Sequence, residues 1–191
     1  VQNIVNLLSQ RQVDEAVTAC LALSKSNPES NDALLLLGKA RQLQGRFVDM
    51  MQLVETALAP EPQNVGLQMQ FTGACQFCGN HDRASAQLTL AEQTVRDNSA
   101  MQQSVAQLYV AGSQYEDAHR CFTRALELDR QNPLYWKNLA SSFVAMGELE
   151  KAEDGYTQVI KRTPSDYESW YSRSMLRKQS TSKNHIRKLE K

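Results

Sequence analysis

The chain has 191 residues, 41% of them hydrophobic, and its 21 basic and 21 acidic side chains leave no formal net charge at neutral pH. The longest apolar run is Ala33–Leu37, far short of the roughly 18 residues that span a membrane, so a membrane protein is not expected. Four cysteines in a chain of this length do not suggest a disulfide scaffold and favour a reducing, cytoplasmic setting.

Apolar residues recur along the chain at spacings of three and four, the period of an amphipathic helix and not of a strand. Glycine and proline are sparse, and Gly45, Gly79 and Gly147 fall between these stretches, where helices end. Asn64 and Asn98 directly precede two of them and are suited to cap free N–H groups. The predicted helices span residues 1–9, 12–26, 31–44, 47–59, 65–78, 81–95, 99–111, 115–128, 133–146, 149–162 and 167–178.

The helices form pairs, and the pairs repeat along the chain at a fixed period. The period is the number of residues that separates Ala106 from Ala140. In the pair within residues 133–166, Ala140 and Ala152 are small residues on the two apolar stripes, where two helices cross closely. Shifting the chain by one period brings small residues to the same places without any insertion. The columns read Ala140, Ala106, Thr72 and Gly38 on the first helix, and Ala152, Ala118, Ala84 and Met50 on the second. A constant period of this length predicts a solenoid of stacked helical hairpins.

The repeat resembles the tetratricopeptide repeat (TPR) family. The residues that match its pattern are Trp136, Leu139, Ala140, Phe143, Ala152, Tyr156 and Pro164, with alanine in place of the family's glycine and two aromatic positions exchanged. Met50 is the main departure, since bulk at a close crossing is expected to splay its hairpin. The resemblance implies an all-α, right-handed superhelical solenoid of antiparallel helix hairpins.

The predicted solenoid covers residues 1–178. Its hairpins span 1–30 (partial), 31–64, 65–98, 99–132 and 133–166, followed by a cap helix at 167–178. In that helix Arg173 and Ser174 stand where Leu139 and Ala140 stood, and a polar stacking face is typical of a terminal cap. Residues 179–191 are interpreted as a linker and the start of a truncated helix. The chain begins at Val1 and not at methionine, so the sequence does not decide whether a targeting segment was removed before Val1.

A second resemblance concerns the run from Asp166 to Lys191, which is similar to the junction in bacterial proteins where TPR repeats precede a sulfotransferase domain. This implies an alternative function, in which the chain is the recognition module of a larger transferase. The nucleotide-sulfate site would then lie beyond Lys191.

The end of the chain is basic. Residues Lys161–Lys191 hold nine Lys/Arg and three Asp/Glu. A basic end is able to meet nucleic acid or an anionic partner. We favour a solvated cap without nucleic-acid binding, because no platform of arginine and aromatic residues accompanies the charge.

One motif invites a test for metal chemistry. Cys75 and Cys78, with His81 three residues later, offer two thiolates and an imidazole, but no fourth ligand follows nearby. As a redox pair they are badly placed, since they fall at the C-terminal end of a helix and its dipole disfavours a thiolate there. We interpret both cysteines as packing residues and expect no metal and no cofactor.

No phosphate-binding loop, zinc-protease motif or nucleophile elbow is present, so no catalytic residue and no enzyme is predicted. The TPR resemblance instead implies a concave groove, lined by the first helices, that binds a protein or peptide segment. The set of charged residues that grips chaperone tails is missing at the corresponding positions. The predicted lining is mostly neutral, and its partner is expected to carry apolar anchors: Leu35, Lys39, Leu43, Met69, Gln76, Phe77, Gln103, Gln107, Val110, Lys137, Asn138 and Ser141.

Overall fold

The structure is a computed structural model that describes residues 1–27 and 31–176. Within these residues it consists of eleven α-helices without any strand, which confirms the predicted all-α helical-repeat solenoid. The predicted linker and helix start at 179–191, and the last residues of the cap helix, lie outside the described part. The helices are α1 (Gln2–Ser9), α2 (Val13–Ser26), α3 (Asn31–Leu43), α4 (Phe47–Leu58), α5 (Val65–Phe77), α6 (His81–Thr94), α7 (Ser99–Ala111), α8 (Tyr115–Leu128), α9 (Pro133–Ala145), α10 (Leu149–Arg162) and α11 (Tyr167–Met175).

The helices belong to two compact units. The N-terminal unit, Val1–Val95, holds α1 to α6, and the C-terminal unit, residues 96–191, holds α7 to α11. In both units the interior consists of the apolar stripes of successive helices, as the 3.6-residue period requires. Fully buried side chains include Val54 and Leu67 in the first unit and Val105 and Val159 in the second.

Each hairpin corner repeats the same backbone motif. At the corner after α9, the amide of Gly147 donates to the carbonyl of Val144, and the amide of Glu148 to the carbonyl of Phe143. These two hydrogen bonds define a Schellman motif, whose central residue must adopt the left-handed conformation. The φ angles at the five corners are +59° at Arg11, +71° at Gly45, +75° at Gly79, +60° at Ser113 and +77° at Gly147. Glycine meets this requirement without strain, whereas Arg11 and Ser113 meet it at a cost.

The starts of the first helices are also periodic. Asn64, Asn98, Asn132 and Asp166 precede α5, α7, α9 and α11, and the side chain of each accepts a backbone N–H from the first turn. Such caps satisfy donors that have no partner within the helix. Asn64 and Asn98 were predicted as caps from the sequence, and the period of the repeat extends the cap column to Asn132 and Asp166.

A third repeated contact ties α5, α9 and α11 to the loop before each of them. The indole N–H of Trp136 donates to the carbonyl of Arg130 (2.9 Å), and that of Trp170 to the carbonyl of Pro164 (3.0 Å). Gln68, two repeats before Trp136, donates its amide to the carbonyl of Pro62 in the same way (2.6 Å). In these three helices tryptophan and glutamine alike supply an N–H donor that reaches back six residues.

Candidate peptide-binding faces

In the N-terminal unit, α3 and α5 lie side by side. The side-chain amide of Gln70 on α5 donates to the backbone carbonyl of Leu35 on α3 at 2.8 Å. Leu35 is half-buried and packs against the apolar core of this unit. Among the predicted lining residues, Leu35 thus contributes to helix packing, which limits the surface that it offers to a ligand.

The C-terminal ends of α3 and α5 carry the most exposed apolar side chains of the predicted set. Leu43 is 51% exposed and Phe77 is 63% exposed. The ring of Phe77 stacks on that of Phe47, the first residue of α4, with centroids 4.2 Å apart and planes inclined by 14°. Offset stacking of this kind stabilises an aromatic pair while leaving the outer ring face free. Phe47 was not predicted as a site residue, because the sequence gives no sign that residues 47 and 77 meet.

Met69, Gln76 and Lys39 complete the predicted set in this unit. Met69 and Gln76 are half-buried on α5, and Lys39 is exposed on α3. Met69 lies eight residues before Phe77, on the same face of the helix and about 12 Å away along its axis. The first-helix face of the N-terminal unit therefore has one apolar group at the C-terminal end of α5 and another near its middle.

In the C-terminal unit the predicted residues on α7 are the half-buried Gln103 and the exposed Gln107 and Val110. Asn138 on α9 is half-buried as well. Two side-chain atoms here lack a hydrogen-bond partner although they are shielded from solvent, namely Oε1 of Gln103 and Nδ2 of Asn138. Buried polar atoms usually have partners, so one unused acceptor and one unused donor stand out among the predicted residues of this unit.

Lys137 and Ser141 on α9 are engaged within the fold. The ammonium of Lys137 contacts a carboxylate oxygen of Glu168 at 2.6 Å and one of Asp166 at 3.5 Å. The hydrogen bond to Glu168 is the main reason why the pKa of Lys137 is raised. Ser141 donates to the carbonyl of Lys137 (3.1 Å) and so accepts from the hydroxyl of Tyr156 (3.1 Å). Both residues connect helices, and a ligand would have to compete for them.

The pKa of Asp166 is lowered by the same cluster. Burial by itself disfavours the charged carboxylate, but hydrogen bonds from the amide and hydroxyl of Ser169, together with the charge of Lys137, outweigh it. The amide of Ser169 donates to Asp166 at 3.2 Å and its hydroxyl at 3.0 Å. Asp166 therefore acts both as the N-cap of α11 and as a partner for α9.

Three exposed residues on α11 lie outside the lining predicted from the sequence. Tyr167, Tyr171 and Met175 follow one another at four-residue spacing, so they form one stripe, and Tyr171 and Met175 are 66% and 68% exposed. The register of the repeat places these two in the columns of Lys137 and Ser141. That register was the available signal, but α11 was interpreted as a cap and its surface was left out of the predicted lining.

The two cysteines of the motif differ in burial. Cys75 is fully buried in the core of the N-terminal unit, and burial raises the pKa of its thiol, whereas Cys78 is half-buried. His81 is exposed at the first position of α6. Across residues 1–27 and 31–176, no group of three or more His, Cys, Asp or Glu side chains is arranged to hold a metal ion.

His119 and Ser142 form the arrangement closest to a catalytic pair. The Ser142 hydroxyl donates to the carbonyl of Leu139 (2.8 Å) and so accepts from Nδ1 of His119 (2.9 Å). A nucleophilic serine must be accessible and must give its proton to the histidine, and the buried Ser142 does neither. Burial lowers the pKa of His119; Glu148 opposes this effect and Lys151 adds to it. The pair links α8 to α9 and has a structural role.

Among the helices that the structure describes, each is too short or too polar to cross a bilayer.

Comparison with known proteins identifies the repeat. A family model described as tetratricopeptide repeat matches residues 4–65 and 106–166. No curated protein matches the chain. Among solved structures, a thermophilic TPR protein of Thermus thermophilus is 20% identical, with a TM-score of 0.68 over 92% of this chain and 96% of that one.

Two further structures are similar. A tetratricopeptide repeat protein of Parabacteroides merdae is 16% identical, with a TM-score of 0.71 over 92% of this chain and 70% of that one. YrrB, described as a TPR protein with an unusual peptide-binding site, is 13% identical, with a TM-score of 0.63 over 90% of this chain and 89% of that one. At these identities the likeness concerns the fold.

Proposed function

Since the chain belongs to the tetratricopeptide repeat family, we propose that it is a non-catalytic scaffold module that binds a protein or peptide segment through its first helices. The observation that carries this proposal is the exposure of large apolar side chains on those helices, with Phe77 and Leu43 in one unit and Tyr171 and Met175 in the other. Exposed apolar groups of this kind mark interaction sites when they cluster on one face. YrrB, which shares the fold, is a precedent for a peptide-binding protein of this architecture.

The proposed ligand is a segment with apolar anchors. Phe77 presents one face of its ring beyond the stack with Phe47, and Met69 adds an adaptable thioether two turns earlier on α5. In the C-terminal unit, rotation of the side-chain amides would let Gln103 accept from, and Asn138 donate to, a peptide backbone. Such bonds would satisfy two atoms that lack partners in the free protein.

Electrostatics are expected to contribute little to this binding. Helices α1, α5 and α7 have no charged residue. Lys137, the charged residue of α9, is already paired with Glu168 and Asp166. An interface with few ion pairs loses little affinity when salt screens charges. We therefore propose micromolar binding, as an order of magnitude, with a weak dependence on ionic strength.

The test begins with a peptide selected from a displayed library against the purified chain. Phe77→Ala should weaken its binding about tenfold, equivalent to about 1.4 kcal/mol, since hot spots are few and aromatic. Tyr115→Ala is the matched control, because Tyr115 is an exposed aromatic residue on a second helix of the other unit. Calorimetric titration of both variants gives the comparison.

The outcome that contradicts the proposal is equally specific. If binding survives both Phe77→Ala and Met69→Ala but collapses at high salt, the neutral faces are not the site. The basic stretch 173–191 would then become the region to examine. Equal losses for Phe77→Ala and Tyr115→Ala would also reject a site confined to the first helices.

We infer a reducing, cytoplasmic location for the module. The support is that all four cysteines are free thiols, which is typical of proteins kept in a reducing compartment. A bacterial origin and a following transferase domain remain predictions from the resemblance of the C-terminal run. Sequencing beyond Lys191 tests the latter directly.

A further inference from the structure

The N-terminal unit contains an open pocket of about 480 Å³ between the start of α3 and the end of α4. Its apolar lining comes from Leu34, Leu53, Ala57 and Pro60. Its polar lining comes from Asn31, Thr56 and Glu61. An apolar floor with a few polar groups, at a volume within the range of small-molecule sites, is the composition of a ligand pocket.

The column of Leu34 in the repeat holds glutamine at residues 68 and 102 and an indole in the last two repeats. Three periods of the repeat after Leu34 stands Trp136, and four periods after it stands Trp170. The indole of Trp136 lies beneath the guanidinium of Arg162, 5.2 Å from the ring centre. The indole of Trp170 is covered by Arg173 of its own helix, at 4.9 Å. In the hairpin of α3 and α4 the smaller side chain of Leu34 takes this place, and the pocket opens beside it.

We propose that this pocket is a binding site for an indole, or for a flat aromatic side chain of similar size, supplied by a partner. The occupant would stack on Leu34 and Leu53 and would direct its ring N–H to the carboxylate of Glu61. One carboxylate oxygen of Glu61 already accepts from Asn64 at 2.9 Å, and the other is the acceptor for the ligand.

The site is separate from the proposed peptide-binding face. Leu34 is at the beginning of α3, whereas Leu43 is nine residues later, about 13 Å along the helix. The inference therefore does not rest on the proposed function. Loss of Phe77 would affect peptide binding without affecting this pocket.

Free indole is the probe for a direct test. Titration of the purified chain should shift the methyl NMR signals of Leu34 and Leu53, with a dissociation constant of about a millimolar, as expected for a fragment of this size. The Leu43 methyl signals should not move. Absence of shifts at Leu34 and Leu53 at saturating indole, or shifts centred on Leu43, would overturn the assignment.

Leu34→Trp tests the shape of the pocket from within the chain. The new indole should fill the space, raise the melting temperature by about 2–4 °C and weaken binding of free indole at least tenfold. Val48→Trp is the control, because it adds the same side chain at an exposed position on α4 and should do neither. A Leu34→Trp chain that melts lower than the unmodified protein, or still binds indole equally well, would show that the pocket does not accept this group.

Discussion

Gly155→Ala should destabilise the C-terminal unit although alanine is the better helix former. Gly155 is in the middle of α10, where it faces Ala140 on α9. A Cβ atom at residue 155 would lie 2.8 Å from the Cβ and 3.3 Å from the Cα of Ala140. Ala140 has no side-chain torsion that could relieve the contact, so the two helices must move apart.

Two opposing effects determine how much Gly155→Ala changes the free energy of unfolding. Replacing glycine by alanine inside a helix gains about 1 kcal/mol, because the backbone of the unfolded chain loses freedom. Forcing a methyl group into a packed crossing costs about 1–3 kcal/mol. Since the contact is with backbone and a methyl group, we expect the upper part of that range and a net loss of about 1–2 kcal/mol.

Gly73→Ala is the matched control for this substitution. Gly73 is in the middle of α5, and a Cβ built there has no neighbour within 4 Å. The same change should therefore stabilise the chain by about 1 kcal/mol. Urea unfolding followed by circular dichroism should move the two midpoints in opposite directions. A Gly155→Ala protein as stable as the unmodified chain would refute the close crossing inferred for α9 and α10.

Three further predictions concern the corners, the buried histidine and the cysteines. Because a residue with positive φ is strained unless it is glycine, Ser113→Gly should raise and Gly147→Ser should lower the free energy of unfolding by about 1 kcal/mol, measured by urea titration. His119 has a lowered pKa in the fold, so its contribution to stability should be complete above pH about 6.5 and should decrease as the pH falls from there toward the lowered value. Melting curves of His119→Asn recorded over this pH range should lack that decrease. A pH dependence identical to that of the unmodified chain would contradict the prediction. Replacing both Cys75 and Cys78 by serine should leave the metal content at zero and change only stability, whereas a stoichiometric zinc signal that disappears in the double variant would make them ligands.

The helices and their period were predictable because they depend on residues close together in the chain. The 3.6-residue spacing of apolar groups, glycine at the corners and asparagine before α5 and α7 act within one or two turns. Repetition at a constant period then indicated stacking, since each hairpin leaves an apolar face uncovered. The two non-glycine corners, Arg11 and Ser113, show that the backbone motif persists even where the preferred residue is absent.

The tertiary structure alone decided what each first-helix side chain does. Lys137 was predicted as a ligand contact, but Glu168, 31 residues later, occupies it. Phe77 was predicted to line the groove, and its ring stacks on that of Phe47, from the preceding helix.

The pocket beside Leu34 was likewise invisible in the sequence. A leucine in an apolar stripe reads as ordinary core, and only the arrangement of α3 and α4 shows that it leaves room for a larger group. Amphipathic spacing determines which stripe of a helix turns inward. Whether an outward side chain stays free depends on atoms that folding brings from the next hairpin, and on how completely they fill the space around it.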